Sequence, residues 1–373
     1  MTRNDIIQAA FRVWGADLYH ATSLSKLADS LQISKSALYR YFNNKQALIE
    51  SMCDCFFEEY NAYIQPYYDK ATKNSDKKEK YCIISHANIE YCLRNREKFV
   101  FSLMYIYKRI YLNEITSFPQ KWFTDIQKFW FLDGTIESYC VMITVISLSV
   151  YFHKYIQDYS EDSINMYINC AKQKIMYGIA LNEETIDAFN YDHLEHTIIT
   201  VQHDENKELF HAVATEIANS GLFQASMQDI ADRMGLSKSS LYSHYSSKES
   251  MIKQFFITEF EQINRCINEG VHATERSDEQ LYAALYSVSE YFRSWPELLH
   301  AIDGTKTIHI EKPVIFNYDV KTIQFPGIYE NIDNQWILFL LVSMLMHQKE
   351  VNIRVLFRFI CLGLQGFLYK RGV

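Results

Sequence analysis

Ser25-Lys26-Leu27-Ala28-Asp29-Ser30-Leu31-Gln32-Ile33-Ser34-Lys35-Ser36-Ala37-Leu38-Tyr39 returns later in the chain as Gln228-Asp229-Ile230-Ala231-Asp232-Arg233-Met234-Gly235-Leu236-Ser237-Lys238-Ser239-Ser240-Leu241-Tyr242. The two stretches align without a gap at an offset of 203 residues, Lys35 against Lys238. The match runs on through Phe42 to Lys45 and Tyr245 to Lys248. Solenoid repeats recur every roughly 20–50 residues. A period as long as this one is domain-sized, so two domains of one kind stand in tandem.

Length agrees, because 373 residues suit two domains of about 100–200 residues each. With 48% hydrophobic and 15% aromatic residues the chain can fill two cores, which excludes a disordered protein. Only 11 Gly and 5 Pro interrupt it, and the long uninterrupted periodic stretches predict an all-α fold. Met1-Thr2-Arg3-Asn4-Asp5 leads directly into an amphipathic helix, with no signal-peptide pattern. The most apolar run, Val141 to Phe152, is expected to be a buried helix, being shorter than the roughly 20 residues of a membrane span. The eight cysteines are scattered, as reduced thiols of a cytoplasmic protein would be.

In the first copy Ile6, Ile7, Ala10, Val13 and Trp14 recur at helical spacing. Ser23 is placed to cap a second helix whose apolar stripe is Leu24, Leu27, Ala28 and Leu31. Gln32-Ile33-Ser34 makes a tight connection, and Ser34 can cap a third helix from Lys35 to about Tyr41. Two short helices joined this way form a helix-turn-helix, whose second helix enters a DNA major groove. Asn43-Asn44 then breaks the chain, and Lys45 opens a long helix through Leu48, Met52, Phe56 and Tyr60.

This pattern resembles the DNA-binding head of the TetR (tetracycline-repressor-like) regulators. The second copy resembles it as well, through Gly221, Ala225-Ser226-Met227, Ile230-Ala231, Gly235-Leu236-Ser237, Leu241-Tyr242, Tyr245 and Lys248. The resemblance implies two complete units, each a head followed by a helical ligand and dimerisation bundle. Family members end in two apolar helices that pair with a second subunit. Here Ser138–Gln157 with Ser163–Leu181, and Gln335–Lys349 with Asn352–Lys370, are the expected counterparts. Met176-Tyr177-Gly178-Ile179 echoes Cys361-Leu362-Gly363-Leu364 as a small residue inside an apolar closing helix. The expected order is a first head at 1–50, its bundle at 51–182, a linker at 183–204 whose periodicity partly persists, a second head at 205–253 and its bundle at 254–373.

The resemblance implies a regulator, most often a repressor, that binds double-stranded DNA and answers to a small-molecule effector. Ordinary members place two recognition helices by dimerising. One chain with two heads and two sets of pairing helices can do so internally, as a monomeric pseudo-dimer, with further dimerisation left open. The candidate DNA-binding residues of the first head are Ser34, Lys35, Ser36, Ala37, Tyr39, Arg40, Tyr41 and Lys45. Those of the second are Ser237, Lys238, Ser239, Ser240, Tyr242, Ser243, His244 and Lys248. By resemblance Tyr39, Lys45, Tyr242 and Lys248 position the DNA backbone, while Leu38, Phe42, Leu241 and Tyr245 belong to the core.

The two heads are not equivalent. Ala37, Arg40 and Tyr41 stand opposite Ser240, Ser243 and His244. Arginine can take guanine O6 and N7 together, which serine cannot reproduce, so an operator with two unequal half-sites is expected. Residues 1–50 carry six Lys/Arg against four acids, whereas 205–254 carry five against six, so the first head is the more electropositive footprint. The formal net charge of −8 argues against wholesale coating of nucleic acid. Leu18 and Gln32 replace Gly221 and Gly235, which predicts a local difference in the first head's turn.

A candidate effector pocket in the first half is Tyr91, Phe99, Met104, Tyr107, Trp122 and Trp130, a Tyr/Phe/Met-rich set suited to apolar ligands. Lys306–Phe325 is β-branched and alternating, and reads as irregular or as a hairpin around Asn317-Tyr318-Asp319, which puts a second pocket in doubt. Cys53 and Cys55 lie about 200° apart on a helix and cannot share a metal. His193, His196 and His203 lack a clear further ligand, so no metal or cofactor is expected. No nucleophile–histidine pattern, glycine-rich phosphate loop or paired carboxylates stand out, so no enzyme is expected. The competing reading is an interaction or ligand-sensing protein with one or both heads degenerate.

Overall fold

The computed structural model describes residues 1–16, 23–107, 120–132, 135–155, 158–179, 181–198, 208–222, 225–304, 336–347 and 352–367. Every regular element among them is helical. They divide into two compact units, Met1–Ile175 and Met176–Val373. The segment read as a possible hairpin, 306–325, lies outside the described residues, as do Leu18 and His203.

The first unit opens with α1 (Arg3–Ala16), α2 (Leu24–Ser30) and α3 (Lys35–Tyr39). Ile6, Ala10, Phe11 and Trp14 of α1 are buried, as the helical spacing requires. Ser23 and Ser34 cap α2 and α3, their hydroxyls accepting from the backbone N–H groups of Lys26 and Ala37. The third helix ends at Tyr39, two residues earlier than its spacing predicts. Asn44 caps the long α4 (Lys45–Thr72), and Asp76 caps α5 (Lys77–Arg94). Then come α6 (Arg96–Phe101), a π-helical segment (Ser102–Tyr107), α7 (Gln120–Phe129), α8 (Ile136–Tyr155) and α9 (Glu161–Tyr177). α5 packs between α4 and α8, and α1 rests on α4 and α6.

α8 corrects one expectation. Its apolar window, Ile136–His153, spans 18 residues rather than twelve, with a mean hydropathy of 1.4. That is long and apolar enough for a bilayer, yet 78% of the window is buried inside the fold, as in a core helix. Val141, Ile143, Val145 and Leu148 are fully enclosed.

In the second unit the segment expected to link the halves is helical, as α10 (Glu183–Asp187) and α11 (Tyr191–Thr197). The head follows as α12 (Glu208–Ser220), α13 (Met227–Arg233) and α14 (Lys238–His244), then α15 (Lys248–His272), α16 (Ser277–Ser294), α17 (Pro296–Gly304), α18 (Trp336–His347) and α19 (Ile353–Phe367). α15 and α16 pack closely at Gly270, where a Cβ would stand 2.6 Å from the Ala283 carbonyl oxygen. α10 lies on α19 and α11 on α16. Arg354 forks onto both carboxylate oxygens of Glu195 at 2.8 Å and also pairs with Asp192. Arg358 pairs with Asp187 at 2.5 Å and with Glu183. The acidic residues of the joining segment are thus the partners of arginines from the closing helix.

Gly178 and Gly363 do not sit inside regular helix as expected. Gly178 (φ +62°) follows the end of α9, and Gly363 (φ 56°, ψ −156°) breaks the helical path within α19. That break interrupts the hydrogen-bond ladder of α19. The carbonyls of Ile360 and Cys361 accept instead from the N–H groups of Ile179 (2.9 Å) and Leu181 (3.3 Å).

The turn of the first head also departs from expectation. Gln32 adopts φ 55°, close to the 64° of Gly235. Gln32 donates to Asp29 O and Ile33 to Ala28 O, while Gly235 donates to Asp232 O and Leu236 to Ala231 O. Both turns are therefore the same left-handed helix stop, and the glutamine bears its conformational cost. Gln32→Gly is expected to stabilise the first unit by about 1 kcal/mol, read as a raised urea midpoint. An unchanged or lowered midpoint would show that the side chain compensates.

Candidate nucleic-acid interface

Each head holds its recognition helix by burying one face and capping one end. Leu38, Phe42 and Leu241 are buried to within 2%. Tyr245, expected in the core, is half-buried, and burial raises its phenol above the ordinary tyrosine value. On the other side Lys35, Ser36, Tyr39 and Arg40 are exposed in the first head, and Lys238, Ser239, Tyr242, Ser243 and His244 in the second. Tyr39 and Tyr242 remain 43% and 45% exposed, which is unusual for aromatics in a folded head and leaves both phenols available to a partner.

The remaining candidates serve the head itself to differing degrees. Ser34 and Ser237 are the N-caps, and each hydroxyl also lies within 2.9 Å of a neighbouring serine hydroxyl, Ser36 or Ser239. Ala37 and Ser240 are half-buried and supply the capped N–H groups. Tyr41 donates its hydroxyl to the Met1 carbonyl at 3.1 Å, so it ties the chain's first residue to the end of the helix-turn-helix. Ser243 donates to the Ser240 carbonyl at 2.6 Å. Arg40, its counterpart, has no side-chain partner among the described residues.

Lys45 and Lys248 each begin the helix that leaves the head. The Lys45 ammonium lies 5.3 Å from the Trp14 ring centroid, and burial pulls it below the ordinary lysine value. In the second head the Lys238 ammonium lies 5.9 Å from the Tyr242 ring. Arg3, one of the six basic residues of the first head, reaches Ser51 (2.8 Å) and lies over Phe42 (4.7 Å), adding a cation close to the end of α3.

The heads also join their bundles differently. In the first, Gln8 of α1 donates to Glu59 of α4 (2.8 Å), Cys55 donates to the same carboxylate (3.3 Å), and Lys98 of α6 pairs with it. Burial pushes the Glu59 carboxyl up, but the bonds from Lys98, Cys55 and Gln8 outweigh it and leave a net lowering. Burial and that carboxylate push the Cys55 thiol up to about 12, which keeps it protonated and poor as a metal ligand. In the second unit His211, which aligns with Gln8, packs against Trp295 at 4.9 Å. Arg233 there pairs with the nearly buried Glu216 at 3.3 Å, tying α13 to α12. These networks join residues far apart in the chain, and no local pattern announces them.

The candidate pocket residues fall into several packed clusters. Tyr91 lies 5.3 Å from Tyr60 and 5.2 Å from Tyr63, and its buried hydroxyl has no hydrogen-bond partner among the described residues. Phe99 stacks on His153 at 5.0 Å, and Trp122 stacks on Phe57 at 4.7 Å. Trp130 is buried beside Phe129 at the end of α7. The side chains of Met104 and Tyr107 lie outside the described residues. Among the described residues no three His, Cys, Asp or Glu side chains converge on a possible metal position. All eight cysteines are free.

Residues 6–52 and 209–255 each match the profile of the bacterial regulatory proteins, tetR family. A search of curated proteins finds no match to the chain. The two matched segments contain both helix-turn-helix heads, with their capped recognition helices and left-handed turns. The chain thus carries two TetR-family heads in tandem, one in each all-helical half.

Proposed function

We propose that the protein is a sequence-specific DNA-binding transcriptional regulator, a cytoplasmic repressor that responds to an effector and acts as a single-chain pseudo-dimer. The observation that carries this reading is the pair of recognition helices, each entered through the same left-handed turn, capped by serine and presenting an exposed tyrosine and lysine. Such a face suits phosphate contacts, which position a head, combined with a few base contacts, which specify sequence. Two heads are needed because recognition helices read half-sites about 34–36 Å apart. A covalent link replaces subunit concentration by an effective one of about mM, so binding does not weaken through dimer dissociation on dilution.

The effector reading rests on the aromatic interior of the first unit and the orphaned Tyr91 hydroxyl within it. An effector would favour one of two head arrangements through its differential affinity for them.

The test is quantitative binding to the DNA upstream of the protein's own coding sequence across a salt series, with a footprint of the complex. A regulator gives a protected site with two halves and an affinity that falls steeply with salt. Lys35→Gln and Lys45→Gln are each expected to flatten the salt slope by about one. A salt-independent association, or none at any upstream fragment, would favour instead a ligand-sensing protein whose heads no longer bind DNA.

A further inference from the structure

The first unit contains an open cleft of about 520 Å³ that none of the pocket residues discussed above lines. Its walls are Lys77, Lys80 and Tyr81 from the start of α5, and Gln127, Lys128, Phe131 and Leu132 from the end of α7. The volume is within the roughly 300–1,000 Å³ of small-molecule sites. Three of its seven lining residues are lysines, in a chain with a net charge of −8.

The aromatic wall is held in an unusual way. Phe131 closes α7 at φ 49°, a left-handed conformation that a bulky residue rarely takes. The N–H groups of Phe131 and Leu132 donate to Lys128 O (3.2 Å) and Gln127 O (2.9 Å), which fixes the turn. The turned ring stacks on Tyr68 at 5.1 Å and meets Tyr81 edge-on at 6.5 Å. Lys128 is positioned by a bond to Gln65 (3.0 Å) and by the Tyr68 ring 4.9 Å away. The Lys77 ammonium lies 5.7 Å from the Tyr81 ring. Asp76 accepts from the Lys78 N–H as the α5 cap, and Glu79 is not among the lining residues. No carboxylate pairs with Lys80 among the described residues.

The second unit has the same helix–turn–helix connection without the charge. Residues 70–80 hold Lys70, Lys73, Lys77, Lys78 and Lys80 against two acids. Residues 270–280 hold Arg276 against Glu275, Asp278 and Glu279. Arg276 there is neutralised by Asp278 (2.8 Å) and Glu279 (3.3 Å). Ser277 and Gln280 stand where the first unit has Lys77 and Lys80.

We propose that the cleft between α5 and α7 of the first unit binds a small organic anion carrying an aromatic ring, one per chain. The lysines take the anionic group, while Tyr81, Phe131 and Leu132 take the ring. This site is separate from the DNA-binding reading, and the measurement below is made without DNA, so either can fail alone.

The test is calorimetric titration of the full-length chain with 1-naphthoate at low salt. Saturable binding near one molecule per chain is expected, at least tenfold tighter than that of the neutral 1-naphthamide. Lys80→Gln with Lys128→Gln is expected to weaken it at least tenfold, and Lys80→Arg with Lys128→Arg to keep it. Should the double glutamine variant lose helical circular dichroism, Gln127→Glu at the exposed rim is expected to weaken binding at least fivefold. Inorganic phosphate, which has no ring, is expected not to displace naphthoate at equal concentration. Absence of naphthoate binding at millimolar concentration, equal binding of the amide, efficient displacement by phosphate, or affinity untouched by the folded glutamine variant would each overturn the proposal.

Discussion

Arg40→Ala is expected to weaken operator binding by roughly 5–150-fold, and to do so through one half-site only. Arg40 follows the last residue of α3, is exposed, and has no side-chain partner among the described residues. A bidentate arginine–guanine contact is worth about 1–3 kcal/mol, which sets the range. At the matching position of the second head Ser243 already gives its hydroxyl to the Ser240 carbonyl. Ser243→Ala is therefore expected to change affinity less than about twofold, since a surface substitution away from special features stays within about 0.5 kcal/mol. Fluorescence anisotropy at fixed salt, on duplexes with either half-site scrambled, separates the two. Loss of equal size in both variants, or a footprint over a perfect palindrome, would reject the asymmetric operator.

The second large effect concerns the junction rather than the DNA. Gly178→Ala is expected to destabilise the second unit by about 3–4 kcal/mol. The left-handed φ of +62° alone costs a non-glycine residue about 1–2 kcal/mol. In addition the new Cβ would stand 2.4 Å from the Ile360 carbonyl oxygen, a backbone atom that cannot swing away. Parting the two segments endangers the bonds from Ile179 and Leu181, each worth about 1 kcal/mol. Gly235→Ala is the control. Its φ of +64° is nearly the same, but a Cβ there meets nothing within 4 Å, so about 1–2 kcal/mol is expected. Urea unfolding followed by tryptophan fluorescence and circular dichroism measures both. Equal shifts would mean that strain alone matters and that the contact with Ile360 contributes nothing.

These two expectations differ in how much of them could be read from the chain. Arg40 against Ser243 is a comparison of letters at a constant offset, and so are the serine caps and the buried Leu38 and Leu241. Each depends on residues within a few positions of one another, because a cap, a turn or an amphipathic stripe is a local hydrogen-bonding or periodicity problem. Helix ends were less legible. The third helix stops at Tyr39 rather than Tyr41, whose hydroxyl instead meets the carbonyl of Met1.

The pocket residues show the other limit. A list of aromatics does not say which rings face each other: Tyr91 joins Tyr60 and Tyr63, Phe99 joins His153, and Trp122 joins Phe57. The cleft that does open in the first unit is lined by lysines and by Phe131, whose left-handed backbone no propensity foretells.

The doubled head of TetR type, its all-helical setting and the inequality of the matched residues on its two third helices were thus determined by the sequence alone, since short-range chemistry repeated at fixed spacing carries them. Only the tertiary structure decided that Arg354 and Arg358 hold the joining helices from as far as 162 and 175 residues away. It alone decided that Gly178 meets Ile360, that Gln8, Glu59 and Lys98 share one bonded cluster, and that lysines from α5 and α7 face one cleft. Such contacts pair residues whose separation along the chain bears no relation to their distance in space, and packing of the whole unit selects them.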